Sequence, residues 1–312
     1  MPKHFYLQHV GFLSHESRTR FALSVGGVGF VVTTEDPGTR FAANGATRRF
    51  VGDPGEDPLV FEIRRGDLSG PRPGHVVFEA GEWWTLRRDA DDWIFDIFTV
   101  LNGPVPFRSA RVRPDFSSGE IVLHAPYYRG VEEVDPLGYP LAELVLNGKL
   151  AREGGVELHA CGIVDENGRG LVFAGRSGDG KTTTARLWDG RPGVTVLSDD
   201  RLILSRRANE FCVYGTPWHG EAEFAAAASA PLAALFLLEH GSATEAVPVS
   251  GAEAVANLMP RCFPPFYSRE GVEGVLGTLQ ALVGAVPCFR FPFVPGQGAV
   301  ECTRRAVEGL SP

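Results

Sequence analysis

The residues of this chain best placed to do chemistry lie in one stretch, Gly175-Arg-Ser-Gly-Asp-Gly180-Lys181-Thr182. Two glycines, a lysine and a hydroxyl stand at the offsets of the pattern G-x-x-x-x-G-K-[ST]. Each residue type has a physical task there. Glycines let the backbone curl so that successive N–H groups, those of Ser177, Gly178, Asp179, Gly180 and Thr183 among them, point inward at phosphate oxygens. A helix starting at Lys181 adds the partial positive charge of its N-terminus. The Lys181 ammonium is expected against the outer phosphates, and the Thr182 hydroxyl on Mg²⁺. Lysine is scarce in this sequence, occurring only as Lys3, Lys149 and Lys181, which makes a chance match to the pattern improbable on composition.

A second constellation follows about twenty residues on. The apolar run Val194-Thr-Val-Leu ends in Ser198-Asp199-Asp200. Paired carboxylates behind a phosphate loop supply what the loop lacks: one can hold Mg²⁺ or its waters, the other can accept a proton from an attacking hydroxyl. The polar loop Gly215-Thr-Pro-Trp-His219-Gly-Glu221 adds His219 and Glu221 as further candidates. Arg261, just beyond a helical stretch, is a candidate phosphate contact whose plainer reading is a surface arginine.

The elements that must position these groups are legible in outline. Residues 171–174 read as a buried strand feeding the loop, and 182–188 as the helix leaving it. Residues 156–164 form another strand, joined to 171–174 by the turn Asp165-Glu-Asn-Gly168. A hairpin ahead of the loop differs from the βαβ entry of ordinary phosphate-loop folds. Residues 201–205 and 211–214 read as a second hairpin, 232–238 as an apolar strand, 252–258 and 272–286 as helices, and 288–294 as a closing strand. The alanine run 222–230 is compatible with helix or loop. Ahead of this half, residues 1–135 are β-rich, with strands separated by turn signals every 8–12 residues or so, as in a small antiparallel sheet or sandwich. Trp83, Trp84 and Trp93 in that region read as core or sheet-face residues rather than a ligand platform. Leu137, Leu141, Leu144, Val145 and Leu150 lie at helical spacing, predicting a helix over 135–152 as the hinge between a β-rich domain (1–135) and a nucleotide-binding domain (136–312).

Composition excludes several classes. The net charge of −8 is the wrong sign for non-specific nucleic-acid binding or for docking on anionic membrane surfaces. No apolar run reaches the length of a membrane span, and the N-terminal stretch lacks the apolar core of a secretory leader. Cys161, Cys212, Cys262, Cys288 and Cys302 are scattered without C-x-x-C spacing, so neither zinc nor a disulfide framework is expected and a cytoplasmic location is.

His159, the hairpin 160–174, the loop 175–182 and the strand end Leu197-Ser-Asp-Asp-Arg-Leu resemble the HPr kinase/phosphorylase family, closest to its shorter HPr kinase-related serine kinases. The stretches Gly215-Thr-Pro-Trp-His-Gly-Glu221 and Ala230-Pro-Leu…Phe-Leu-Leu-Glu resemble those relatives too. The loop is also similar to that of ATP-dependent phosphoenolpyruvate carboxykinase, which shares the fold. The resemblance covers roughly residues 136–300. It implies an α/β (α+β) fold, with a mixed-sheet core of this type behind a β-rich N-terminal region. It implies that Lys181 and the backbone of 178–183 hold nucleotide phosphates, that Thr182 and Asp200 serve Mg²⁺, and that Asp199 is the base that deprotonates a substrate serine. His159 matches a family histidine near the transferred phosphate, and His219 and Glu221 match a stretch frequent in the related kinases. The N-terminal region and the missing second glycine-rich signature depart from the bifunctional enzyme. The expected function is therefore an ATP/Mg²⁺-dependent phosphotransferase acting on a serine-type hydroxyl of a protein, peptide or small molecule. The alternative is a regulatory or assembly protein that binds ATP without transferring it. A phosphate loop reads phosphates, so ATP, ADP and pyrophosphate remain open as donors.

Overall fold

The computed structural model describes residues 20–308. The N-terminal stretch read above for a leader lies outside the described residues. The first half gives β1 (Arg20–Val25), β2 (Val28–Thr33), β3 (Arg40–Phe41), β4 (Leu59–Gly66), β5 (His75–Ala80), β6 (Trp84–Asp89), β7 (Asp92–Ile97), β8 (Arg108–Val112), β9 (Ser118–His124) and β10 (Glu133–Val134). An eight-stranded sheet runs in the order β1-β2-β4-β9-β8-β7-β6-β5. It is mixed rather than antiparallel, because β2–β4 and β4–β9 pair in parallel. Alternation of apolar and polar residues encodes the pleat of a strand but not the direction of its neighbour. Trp84 packs on Phe78 and Phe95, and Trp93 on Phe116 and Tyr267, while Trp83 is exposed, so the three indoles share no platform.

Helix α1 (Leu141–Glu153) starts later than the apolar spacing predicts. Residues 135–140 are spent in a turn in which Asp135 Oδ1 accepts the Leu137 N–H at 3.2 Å, and Pro140 caps the helix. Gly154, at φ 77°, stops it in the left-handed conformation that favours glycine.

The second half contains β11 (Gly155–Val164), β12 (Gly170–Ala174), α2 (Lys181–Trp188), β13 (Thr195–Ser198), β14 (Arg201–Arg207), β15 (Glu210–Gly215), β16 (Ser229–His240), β17 (Val247–Pro248), α3 (Gly251–Leu258), α4 (Arg269–Ala285), β18 (Cys288–Phe293) and α5 (Gln297–Glu308). Strand β11 is the pivot of this second, mixed sheet. Its first half pairs β14, and its second half pairs both β12 and β13, all antiparallel. The path β12-β11-β14-β15-β16 closes on itself because β16 also lies parallel to β12. The alanine run is neither helix nor free loop: Ala225 bridges Ser198, and β16 begins at Ser229. Helix α5 was not anticipated.

Three apolar clusters hold these layers. One joins the first sheet to α1 and reaches Ile203 and Ala225 of the second half. A second lies between the second sheet and α3 and α4, and a third between that sheet and α2 and α5, with Trp188 fully buried. Helix α4 crosses α1 at Gly274, where an added Cβ would sit 2.1 Å from the Ala151 carbonyl oxygen. A backbone oxygen cannot swing away. Gly274→Ala is therefore expected to destabilise the protein by about 1–3 kcal/mol, read as a lower midpoint in urea unfolding; an unchanged midpoint contradicts the close crossing.

Candidate functional site

The loop between β12 and α2 is drawn tight by its own side chains. The Arg176 N–H donates to Asp179 Oδ2 at 2.5 Å, and the Asp179 N–H donates to the Arg176 carbonyl at 3.1 Å. Gly180 caps α2 at φ 102°, a conformation a side chain would strain. Ser177 and Gly178 are exposed at the crest, and Thr183 is half-buried one turn behind. Lys181 lies folded under the loop, 7% exposed, donating from Nζ to the carbonyls of Gly175 at 3.1 Å and Arg176 at 2.9 Å. Burial pulls its ammonium below the usual lysine range, partly offset by the charges of Asp200 and Asp179.

The two aspartates face different partners. Asp199 is 1% exposed, and its Oδ2 accepts the Thr182 hydroxyl at 3.2 Å. Its carboxylate also accepts the backbone N–H of Gly220 (3.0 Å) and of Ala222 (3.3 Å). A Cβ on Gly220 would stand 2.7 Å from Asp199 Oδ2, so only glycine lets the backbone approach this closely. Asp200, whose side chain is 26% exposed, turns the other way and pairs through Oδ1 with His159 Nδ1 at 3.0 Å. Burial would raise Asp200, but the His159 hydrogen bond and the charges of His159, Arg201 and Lys181 hold it below the usual carboxylate range.

Thr182 and Asp200, both expected to serve Mg²⁺, are not hydrogen-bonded to each other; the Thr182 hydroxyl donates to Asp199. Consecutive side chains leaving a strand point to opposite sides. Asp199 follows β13 toward the α2 N-terminus, and Asp200 falls beside β11, where its carbonyl accepts the Ala160 N–H at 2.9 Å. His219 and Glu221 are both exposed, and the His219 ring contacts only its neighbour's carbonyl. What their loop brings to Asp199 is backbone N–H. Arg261 is not a surface arginine. Its side chain is 10% exposed and its Nη2 stands 4.0 Å from Asp179 Oδ2, over the loop.

Sequence reading missed the groups behind the site. Glu143, Glu157 and Arg201 are buried or half-buried together. Arg201 is ion-paired with Glu143 and lies 3.5 Å from Asp200 Oδ2, and Asn147 donates to Glu157 Oε2 at 2.6 Å. A signal existed: Glu157 and His159 are two apart on β11 and share a face, and Glu143, Asn147 and Leu150 recur at helical spacing. Burial and the charge of Glu143 hold Glu157 well above the usual carboxylate range. An acid raised in the folded state contributes its full stability below its unfolded pKa and loses it as pH rises toward the folded value. Glu157→Gln has no proton to lose. Its stability relative to the parent is therefore expected to improve as the pH rises above the ordinary carboxylate range, read as unfolding midpoints in urea at a series of pH values. A difference independent of pH contradicts a protonated Glu157.

Among the described residues, no group of three or more His, Cys, Asp and Glu could hold a metal ion by itself. Mg²⁺ needs none, since it is commonly bound by one or two carboxylates together with substrate phosphates. The touching Thr182 hydroxyl and Asp199 carboxylate are oxygen donors of that kind, at the N-terminus of α2, and they fit such an ion. The five cysteines are unpaired, and no helix among the described residues is long and apolar enough to cross a membrane.

Residues 141–262 match the model of a family described as SynChlorMet cassette protein ScmC. Every group named in the site falls inside that segment. Among solved structures, the chain is similar to an Hpr(Ser) kinase/phosphatase from Coxiella burnetii, with 14% identity, 49% of this chain and 93% of that chain covered, and a TM-score of 0.27. No curated protein matches.

Proposed function

We propose that the protein is an ATP/Mg²⁺-dependent phosphotransferase that phosphorylates a serine-type hydroxyl on a protein, peptide or small molecule. The observation that carries this reading is the division of labour in the Asp pair: Asp199 lies on the Thr182 hydroxyl while Asp200 lies on a histidine ring, both beside one glycine-rich loop. The loop N–H groups and Lys181 bind the nucleotide phosphates. Thr182 and Asp199 hold Mg²⁺, which neutralises charge on the phosphates when bound. This reverses the roles implied by resemblance, under which Asp200 served the metal and Asp199 the proton. Asp199 is nearly inaccessible and its oxygens already accept three hydrogen bonds, which suits a fixed ligand rather than a mobile base.

His159 donates Nδ1–H to Asp200, which leaves Nε2 to take the proton of the acceptor hydroxyl as it attacks. Asp200 fixes the ring and stabilises the imidazolium that results. The remaining contribution is positioning and charge neutralisation, the larger part of catalysis in phosphoryl transfer. Incubating the protein with Mg²⁺, ATP and serine-bearing peptides or small molecules tests the reading. A phosphorylated acceptor by mass spectrometry is expected. Tight ATP binding with no phosphorylated acceptor of any kind supports the regulatory or assembly role instead.

A further inference from the structure

The buried groups behind Asp200 form a continuous polar chain from α1 to the site. Asn147 of α1 donates to Glu157 of β11. The other oxygen of Glu157 is buried without a hydrogen-bond partner, beside the charge of Glu143 of α1. Glu143 is ion-paired with Arg201 of β14, which stands opposite His159 in the β11–β14 ladder. The Arg201 guanidinium carbon lies over two rings, 4.8 Å from the centroid of Phe263 and 5.9 Å from that of Tyr139. Its Nε is buried, makes no hydrogen bond, and lies 3.5 Å from Asp200 Oδ2. Asp200 thus has a nitrogen beside each oxygen, His159 Nδ1 at 3.0 Å from one and Arg201 Nε at 3.5 Å from the other.

An ion pair this deep is a poor stabilising device, since desolvating two charges offsets much of their attraction. A hydrophobic trio of similar volume would serve the core as well. A charged one has a use where the direction of a neighbouring carboxylate matters. Arg201 has a planar fork, and a fork held on one side by Glu143 cannot rotate away from Asp200 on the other.

We infer that Glu143 and Arg201 are positioning residues for the Asp200–His159 pair, with Glu157, held by Asn147, standing outside that chain of contacts. This rests on the phosphotransferase reading for its consequence but not for its test. Helix α1 belongs to the core of the first sheet, so the chain of contacts ties the orientation of the catalytic pair to the front half of the molecule. Charge decides which links matter. Glu143 must be an anion to hold the guanidinium, and Glu157 need only be a hydrogen-bonding amide or acid.

The test reads the His159 Nδ1 proton directly. In ¹⁵N-histidine-labelled full-length protein, a ring N–H donated to a half-buried carboxylate gives a downfield proton resonance, assigned by its loss in His159→Gln. The expected result is that Glu143→Gln shifts or abolishes this resonance, while Glu157→Gln leaves it in place. A purely structural role would treat the two isosteric changes alike. If the resonance is unmoved in Glu143→Gln, is moved equally by both, or is missing from the parent protein, the inference is overturned. Should Glu143→Gln fail to fold, Arg201→Lys keeps the charge but loses the fork, and is expected to shift the same resonance; no shift overturns the inference as well. Transfer activity, where measured, should fall about tenfold in Glu143→Gln with nucleotide affinity nearly unchanged. Loss of nucleotide binding in the parent would sink the phosphotransferase reading and leave the resonance test standing.

Discussion

Lys181→Met is expected to weaken ATP binding about 100-fold while leaving the fold intact. In the structure the ammonium donates to the Gly175 and Arg176 carbonyls and is nearly buried, so it is already aimed into the loop. Charge-assisted hydrogen bonds are worth about 1.5–3 kcal/mol each, and those from the ammonium to phosphate oxygens form only when the nucleotide binds. Losing about 2.7 kcal/mol of them corresponds to the hundredfold change. Methionine nearly matches the length and fills the space. Removing a desolvated charge also offsets the two lost carbonyl contacts, so the unfolding midpoint should barely move. Calorimetric titration of both proteins with ATP and Mg²⁺ checks this; affinities within threefold would place the phosphates elsewhere.

Asp200→Asn is expected to lower the rate of phosphoryl transfer by on the order of 10³-fold or more without weakening nucleotide binding. The carboxylate holds the Nδ1–H tautomer of His159, and an amide in its place can present its NH₂ group and favour the opposite tautomer. Asp200 also acts on Lys181 through space. Deleting a negative charge near incoming phosphates should tighten ATP binding slightly, if it changes it at all. Asp199→Asn should behave differently and lose Mg²⁺-dependent affinity, because Asp199 sits on Thr182. Equal losses of affinity in the two variants would refute the division of roles between them.

Much of this site was legible because its information is local. The loop pattern occupies eight consecutive residues, and the hairpin β11–β12 ahead of it is closed by a short turn; both stand where the sequence puts them. Which aspartate meets Thr182 was not legible. It depends on the direction in which each side chain leaves the chain just beyond β13, which ends at Ser198. The Asp199 clamp was hidden for another reason: it is made of backbone N–H groups of Gly220 and Ala222, and the conspicuous neighbours His219 and Glu221 point to solvent. The pair Glu143–Arg201 spans 58 residues of sequence, a separation no periodicity reports. In the first half, a β-rich run was legible, but β8 and the parallel pairings β2–β4 and β4–β9 were not. Helix α5 buries Ala299, Val300, Thr303 and Val307 on one face; its two faces differ sharply, so the pattern was legible, and it was passed over because the segment is polar on average.

The claim that the two aspartates and His159 serve transfer to a hydroxyl is tested most directly by the fate of the γ-phosphoryl group. ATP labelled there is mixed with the protein, Mg²⁺ and a serine-bearing acceptor, quenched over time, and separated into ATP, inorganic phosphate and alkali-labile phosphoester. The account predicts label accumulating in the phosphoester with the parent protein and remaining in ATP with Asp200→Asn. Label that stays in bound ATP, or passes only to inorganic phosphate whatever hydroxyl is offered, would contradict it.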